Sequence, residues 1–132
     1  MKLVVDTSVI IAVITNEIHK KKLIEITKGI QLIAPLSLPW EIGNAFSAML
    51  KRKRIALEQA IEAIYAYKKI PIRFYEVELE TAIELSHALN IYAYDAYFIA
   101  CSLKFNIPLI TLDTGLIDAA KRAQVNVKEI PE

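Results

Sequence analysis

The sequence predicts an α/β fold built on a central parallel β-sheet. Short apolar runs alternate with longer stretches of helical periodicity, which is the pattern of strands joined by helical crossovers. The first run, Leu3-Val4-Val5, is apolar throughout, as in a strand covered on both faces. Acidic residues stand just past the ends of such runs, at Asp6 and Asp113. The 132 residues suit one domain, 1–132, and a 55% hydrophobic content with only 3 Gly and 5 Pro is enough for a packed core and far from a disordered composition.

The elements follow in order. Residues 3–5 form the first strand, and Ser8 is placed to cap a helix over 9–15. A second helix over 19–28 carries Leu23, Ile24 and Ile26, and Gly29 is placed to stop it. Residues 31–34 read as a strand closed by Pro35. Ser37 or Leu38 then precedes a helix with Pro39 in its first turn, running to about 54. Its buried stripe is Ile42, Ala45, Phe46, Met49 and Leu50. A helix over 57–69, a strand over 72–74, and helices over 76–89 and 94–105 come next. A strand over 108–111, a helix over 115–123 and a short edge strand over 125–127 complete the chain.

The bulk chemistry excludes several classes. Net charge is +1, so any attraction for nucleic acid must be local. One cysteine, Cys101, permits no intrachain disulfide, and there are too few Cys and His for a zinc site. Cys101 reads as a small buried residue on a helix in a reduced, cytoplasmic setting. The apolar start, residues 3–14, is broken by Asp6, Thr7 and Ser8 and lacks a small-residue cleavage site, so it reads as a strand running into a helix. No apolar stretch reaches membrane-spanning length without a polar break.

The acidic residues carry the chemistry. Asp6 and Asp113 end strands, and Asp95 lies in the first turn of the helix that feeds the strand before Asp113. Ligands of open parallel sheets bind beyond the carboxyl ends of the strands, so these groups are expected to meet at one edge. Glu41 joins them from a first helical turn, with Asn44 on the same face. Singly, each acid has a plainer role: Glu41 and Asp95 suit a helix dipole, and an Asp after a strand caps the next helix. Together they differ, because like charges about 4 Å apart repel by roughly 4 kcal/mol at an effective dielectric near 20. A hard cation, Mg²⁺ or Mn²⁺, relieves that repulsion and can activate water against a phosphodiester.

At these residues the chain resembles the PIN-domain family, and within it the VapC-type toxins of toxin–antitoxin pairs. The matching pieces are Val5-Asp6-Thr7-Ser8, Pro39-Trp40-Glu41-Ile42-Gly43-Asn44-Ala45, Tyr94-Asp95-Ala96-Tyr97 and Leu109-Ile110-Thr111-Leu112-Asp113, in that order across nearly the whole chain. Each piece alone is weak, and the ordered set is fairly specific. The resemblance implies a three-layer α/β/α fold and Mg²⁺- or Mn²⁺-dependent cleavage of RNA. It implies Asp6, Glu41 and Asp95 as the metal-binding core and Asp113 as a fourth, more variable acid, with Asp118 as the alternative. Asp113 is favoured because it directly follows the strand. Thr7, Ser8 and Thr111 would support the cluster. The resemblance also implies a homodimer and a small VapB-like antitoxin whose tail enters the active-site groove. Trp40, Tyr65, Tyr67, Tyr92 and Tyr94 would line that groove, although aromatics are more often core or half-buried packing.

Two basic runs, Lys20-Lys21-Lys22 and Lys51-Arg52-Lys53-Arg54, read either as solvated helix ends or as a phosphate-contacting strip beside the acids. His19 and His87 read as surface residues. Rival readings are an RNA-processing PIN nuclease without an antitoxin and a PIN-fold binding module without activity. Phosphoryl-transfer and receiver readings fail on residue type: Ser8 stands where a dehalogenase-type phosphatase needs a second Asp, and no P-loop is present.

Overall fold

A computed structural model describes residues 1–130. Its elements are β1 (Lys2–Val5), α1 (Thr7–Ile14), α2 (Lys20–Thr27), β2 (Gln31–Pro35), α3 (Leu38–Lys51), α4 (Leu57–Lys68), β3 (Ile72–Tyr75), α5 (Leu79–Leu89), α6 (Ala93–Phe105), β4 (Leu109–Ile110) and α7 (Thr114–Arg122). The four strands form one sheet in the order β3-β2-β1-β4, every neighbour parallel. Val4 is in register with Ile33 on one side, and Val5 with Ile110 on the other.

This order fixes the layers. The chain steps outward from β1 to β2 to β3, then returns past β1 to β4. Right-handed crossovers therefore put α1 to α4 on one face and α5 and α6 on the other. α1 packs on α2, α3 and α4, whereas α6 packs on α5 and across β1, β2 and β4. The result is the expected α/β/α sandwich. β1 is its centre: Leu3, Val4 and Val5 are all fully buried, which explains why that strand is apolar without alternation. Phe98 and Ile99 of α6, also fully buried, cover it from one side, and Val9, Ile10 and Ile42 lie in the same core.

Local chemistry ends the helices where the sequence allows it. Gly29 takes φ +74° after α2, and Asn90 and Asn106 take the left-handed conformation at the ends of α5 and α6, a place that suits Gly and Asn. Three expectations need correction. α1 is capped by Asp6 and not by Ser8, because Asp6 is the last extended residue and its carboxylate accepts from the Ser8 amide. α3 stops at Lys51, with Arg52 at the cap and Lys53 at φ 57°. Residues 125–127 make a single parallel bridge, Leu109 to Val127, because β4 offers only two residues to pair with.

One buried group is out of keeping with its surroundings. Ser102 of α6 is 2% exposed, and its hydroxyl has no hydrogen-bond partner among the described residues. An orphaned buried hydroxyl contributes no net stability. Ser102→Ala should therefore leave urea unfolding unchanged or raise stability by up to about 1 kcal/mol. A loss above that amount would contradict this account of α6 packing.

Candidate metal centre

β1 delivers Asp6 to the carboxyl edge of the sheet at its middle. The side chain is 6% exposed, yet it is well supplied with donors. Ser8 Oγ and Thr111 Oγ1 each donate to Asp6 Oδ2 at 2.7 Å, and the Ser8 amide donates at 3.3 Å. A hydroxyl has one proton to give, so the Ser8–Thr111 contact at 3.2 Å is a close approach and not a further bond. Each hydroxyl also accepts. The Leu112 amide donates to Ser8 Oγ at 2.9 Å, and the Asp113 amide to Thr111 Oγ1 at 3.0 Å. Two short relays thus tie the loop after β4 to a carboxylate on β1. Burial holds the Asp6 carboxyl above its ordinary range, against the lowering effect of these donors.

Glu41 and Asp95 arrive from opposite faces of the sheet, each in the first turn of its helix, α3 and α6. Thr7 Oγ1 donates to Glu41 Oε1 at 3.4 Å, and Ser37 Oγ to Glu41 Oε2 at 2.7 Å. Burial, followed by the negative charges of Asp6 and Asp95, pushes the Glu41 carboxyl up to about 7, although Ser37 and Thr7 pull it down. Burial, then Asp113 and Asp6, pushes Asp95 up to about 6. No cation contributes to any of these three shifts. The two ion pairs among the described residues, Lys104–Glu78 and Arg122–Asp118, lie elsewhere.

The structure therefore brings Asp6, Glu41 and Asp95 within electrostatic reach of one another, with Asp113 reaching Asp95. Asp113 sits at the exposed rim, where Oδ1 caps α7 by accepting from the Gly115 and Leu116 amides. Asp118 is engaged with Arg122 at 3.1 Å, whereas the charge of Asp113 acts on Asp95. Thr7, Ser8 and Thr111 all touch the cluster; the exposed side chain of Asn44 makes no hydrogen bond to it among the described residues. Ser37 is the partner the sequence reading missed. It was legible only as a helix start, but its i,i+4 spacing to Glu41 was the available signal.

The donor set suits a hard divalent cation in type and charge: every candidate ligand is a carboxylate oxygen, and among the described residues no lysine or arginine forms an ion pair with one of them. As arranged, no three His, Cys, Asp or Glu side chains among the described residues close on one metal-sized point. The carboxylates thus face a common space without enclosing it.

Two clefts flank this edge, in strand order. Beyond the ends of β2 and β3 lies one of about 530 Å³, lined by Leu36, Ser37, Trp40, Glu76, Tyr94 and Tyr97 among others. Beyond β4 and Val127 lies one of about 340 Å³, lined by His19, Thr111, Leu112, Lys121 and Lys128 among others. Half-buried His19 thus borders this cleft, while His87 is exposed. The two dense basic runs are not beside the acids. Lys51 lies ten residues beyond Glu41 on α3, about 15 Å along the helix axis. Lys20 and Arg54 line a third cleft with Ile14 and Glu62, at the far end of α1 and α3. Of the five aromatics expected in one groove, Trp40, 76% exposed, and Tyr94 line the cleft beyond β2 and β3; Tyr92, 87% exposed, exposed Tyr65 and half-buried Tyr67 do not line it.

The raised carboxyls have a measurable consequence. Their ordinary values are 4.5 for Glu41 and 3.8 for Asp95, so between those and about 7 and 6 the folded chain holds protons that the unfolded chain has released. Stability from these groups is fully present below the ordinary values and is lost as pH rises through the folded ones. In EDTA, the melting temperature should fall between about pH 5 and pH 8, and the fall should be shallower in Glu41→Gln. Thermal melts across that range decide the matter; an identical slope in the variant would contradict the shift.

The fold has known parallels. A chain of known structure, PAE2754 from Pyrobaculum aerophilum, superposes with a TM-score of 0.70 at 18% identity, over 90% of this chain and 79% of that one. VapBC2 from Rickettsia felis, bound to a DNA fragment from their promoter, gives 0.70 at 14% identity, over 97% of this chain and 98% of that one. No curated protein matches the sequence. The model of the PIN domain family matches residues 3–122, and the chain therefore belongs to that family, whose members are in general nucleases.

Proposed function

We propose that this chain is a metal-dependent endoribonuclease, a single PIN domain over 1–132, and the toxin of a VapBC-like toxin–antitoxin pair. The observation that carries the nuclease reading is the meeting of Asp6, Glu41 and Asp95 from β1, α3 and α6 with no protein cation to offset them. Asp6, Glu41 and Asp95 would hold Mg²⁺ or Mn²⁺, with Asp113 at the rim. Such an ion, when bound, acidifies a water and offsets charge on a phosphodiester.

The chain's own residues divide the remaining work. Ser8 and Thr111 saturate Asp6 Oδ2, so Oδ1 is the oxygen left for a cation. Ser37 fixes Glu41 Oε2, and Thr7 steers Oε1. Lys121 and Lys128, in the cleft beyond β4, supply positive charge near the acids and suit the phosphates of RNA better than the distant basic runs do. The likeness in fold to VapBC2 supports a small antitoxin as partner. No helix among the described residues is long and apolar enough to cross a membrane, in keeping with a cytoplasmic setting.

Asp95→Asn should lower cleavage of single-stranded RNA by at least about 100-fold, the scale of one lost electrostatic contact to a transition state. Circular dichroism should show the fold intact. Wild type should cut with Mn²⁺ or Mg²⁺ and not with EDTA. Equal activity in the variant would remove Asp95 from the site. A folded wild type that binds RNA without cutting it would favour the binding-module reading.

Lys121→Ala combined with Lys128→Ala should weaken RNA binding for all sequences alike. The slope of log affinity against log salt should become shallower by roughly 2, one for each lost phosphate contact. An unchanged slope would place the phosphates elsewhere.

A further inference from the structure

We propose that the cleft beside Glu41 is a nucleobase-stacking subsite, in which Trp40 and Tyr94 hold unpaired bases of the RNA next to the carboxylates. The inference rests on the ribonuclease reading and names how that site takes its substrate. Trp40 precedes Glu41 in the first turn of α3, and Tyr94 precedes Asp95 in the first turn of α6. The cleft therefore opens directly beside two of the acids. Ser37 joins the two regions, lining the cleft while donating to Glu41 Oε2 at 2.7 Å.

The lining chooses the occupant. Trp40 is 76% exposed and Tyr94 56%, so both rings present a face to solvent. Tyr97 packs against Tyr94 at a steep angle, with centroids 6.1 Å apart and planes at 80°, which braces the ring. The only charged residue lining this cleft is Glu76, whereas the cleft across the acids is lined by Lys121 and Lys128 against one acid, Glu129, with His19 beside them. A charged backbone would be repelled from the first and attracted to the second. Flat, uncharged bases suit the first. A single-stranded polymer with charged linkages and aromatic faces matches this asymmetry. The volume, about 530 Å³, lies within the range of about 300–1,000 Å³ typical of small-ligand clefts. Stacking reads no hydrogen-bond code, so the subsite would favour unpaired over duplex RNA more than one base over another.

The chain has one tryptophan, so its fluorescence reports on Trp40 alone. The test uses the full chain as Asp95→Asn with Mg²⁺, to prevent cutting, and a short labelled single-stranded oligonucleotide. Label anisotropy follows binding and tryptophan emission follows stacking. Quenching should saturate together with anisotropy, and an oligonucleotide with abasic residues should bind without quenching. Trp40→Ala, still folded by circular dichroism, should bind about 5- to 150-fold more weakly, the range of one lost stacked base, and Trp40→Phe should recover most of the loss. Binding with unchanged emission and unchanged Trp40→Ala affinity would overturn the subsite while leaving the nuclease reading intact. Emission that shifts with protein concentration and ignores RNA would overturn it in favour of a second copy covering the cleft. A wild-type chain that neither binds nor cuts RNA would overturn both.

Discussion

The structure turns on a concentration of negative charge that the protein does not neutralise. Asp6 stands buried at the carboxyl end of the central strand, and Glu41 and Asp95 approach it from the two helical layers. Carboxylates placed so are normally paired with a cation. Here hydroxyls and amides surround Asp6, and burial, with the mutual repulsion added to it, pushes the Asp95 and Glu41 carboxyls up to about 6 and about 7. The rest of the fold serves to keep these groups where they are. A one-residue slip of β1 would draw exposed Lys2 into the core or carry Asp6 away from the sheet edge. The Ser8 and Thr111 relays hold the loop after β4 against Asp6.

This arrangement also explains how the molecule's surfaces are divided. Because the sheet is parallel throughout, every strand ends at the same edge, and whatever lies along that edge follows strand order. The sequence is aromatic cleft, carboxylates, basic cleft. Polar and charged groups of opposite character are thereby set on either side of the acids by topology alone.

Much of this was legible in the sequence because it depends on pattern. The unbroken apolar run of β1, the strand–helix alternation and the acids at strand ends are consequences of burial and chain direction, which local sequence records. What failed depended on three-dimensional competition. Ser8 looks like a helix cap, but Asp6 reaches the Ser8 amide first and Ser8 turns its hydroxyl to the same carboxylate. Residues 125–127 look like a strand, but strand length is limited by the partner, and β4 is two residues long. Ser37 gave only a helix start. The basic run after Lys51 gave no hint of its distance from the acids, because that depends on the direction of α3. The exposure of Trp40 was expected only through the family resemblance, since an aromatic near a helix start packs inward or outward depending on neighbours far along the chain.

The central claim is that the space bounded by Asp6, Glu41 and Asp95 is a divalent-cation site. Its most direct test is an anomalous difference map from crystals of the protein grown with Mn²⁺, collected in parallel for Asp6→Asn. A peak bounded by these three side chains in the wild type, and absent in the variant, is the predicted result. A manganese peak elsewhere, or a peak in the same place that persists in Asp6→Asn at full strength, would contradict the account.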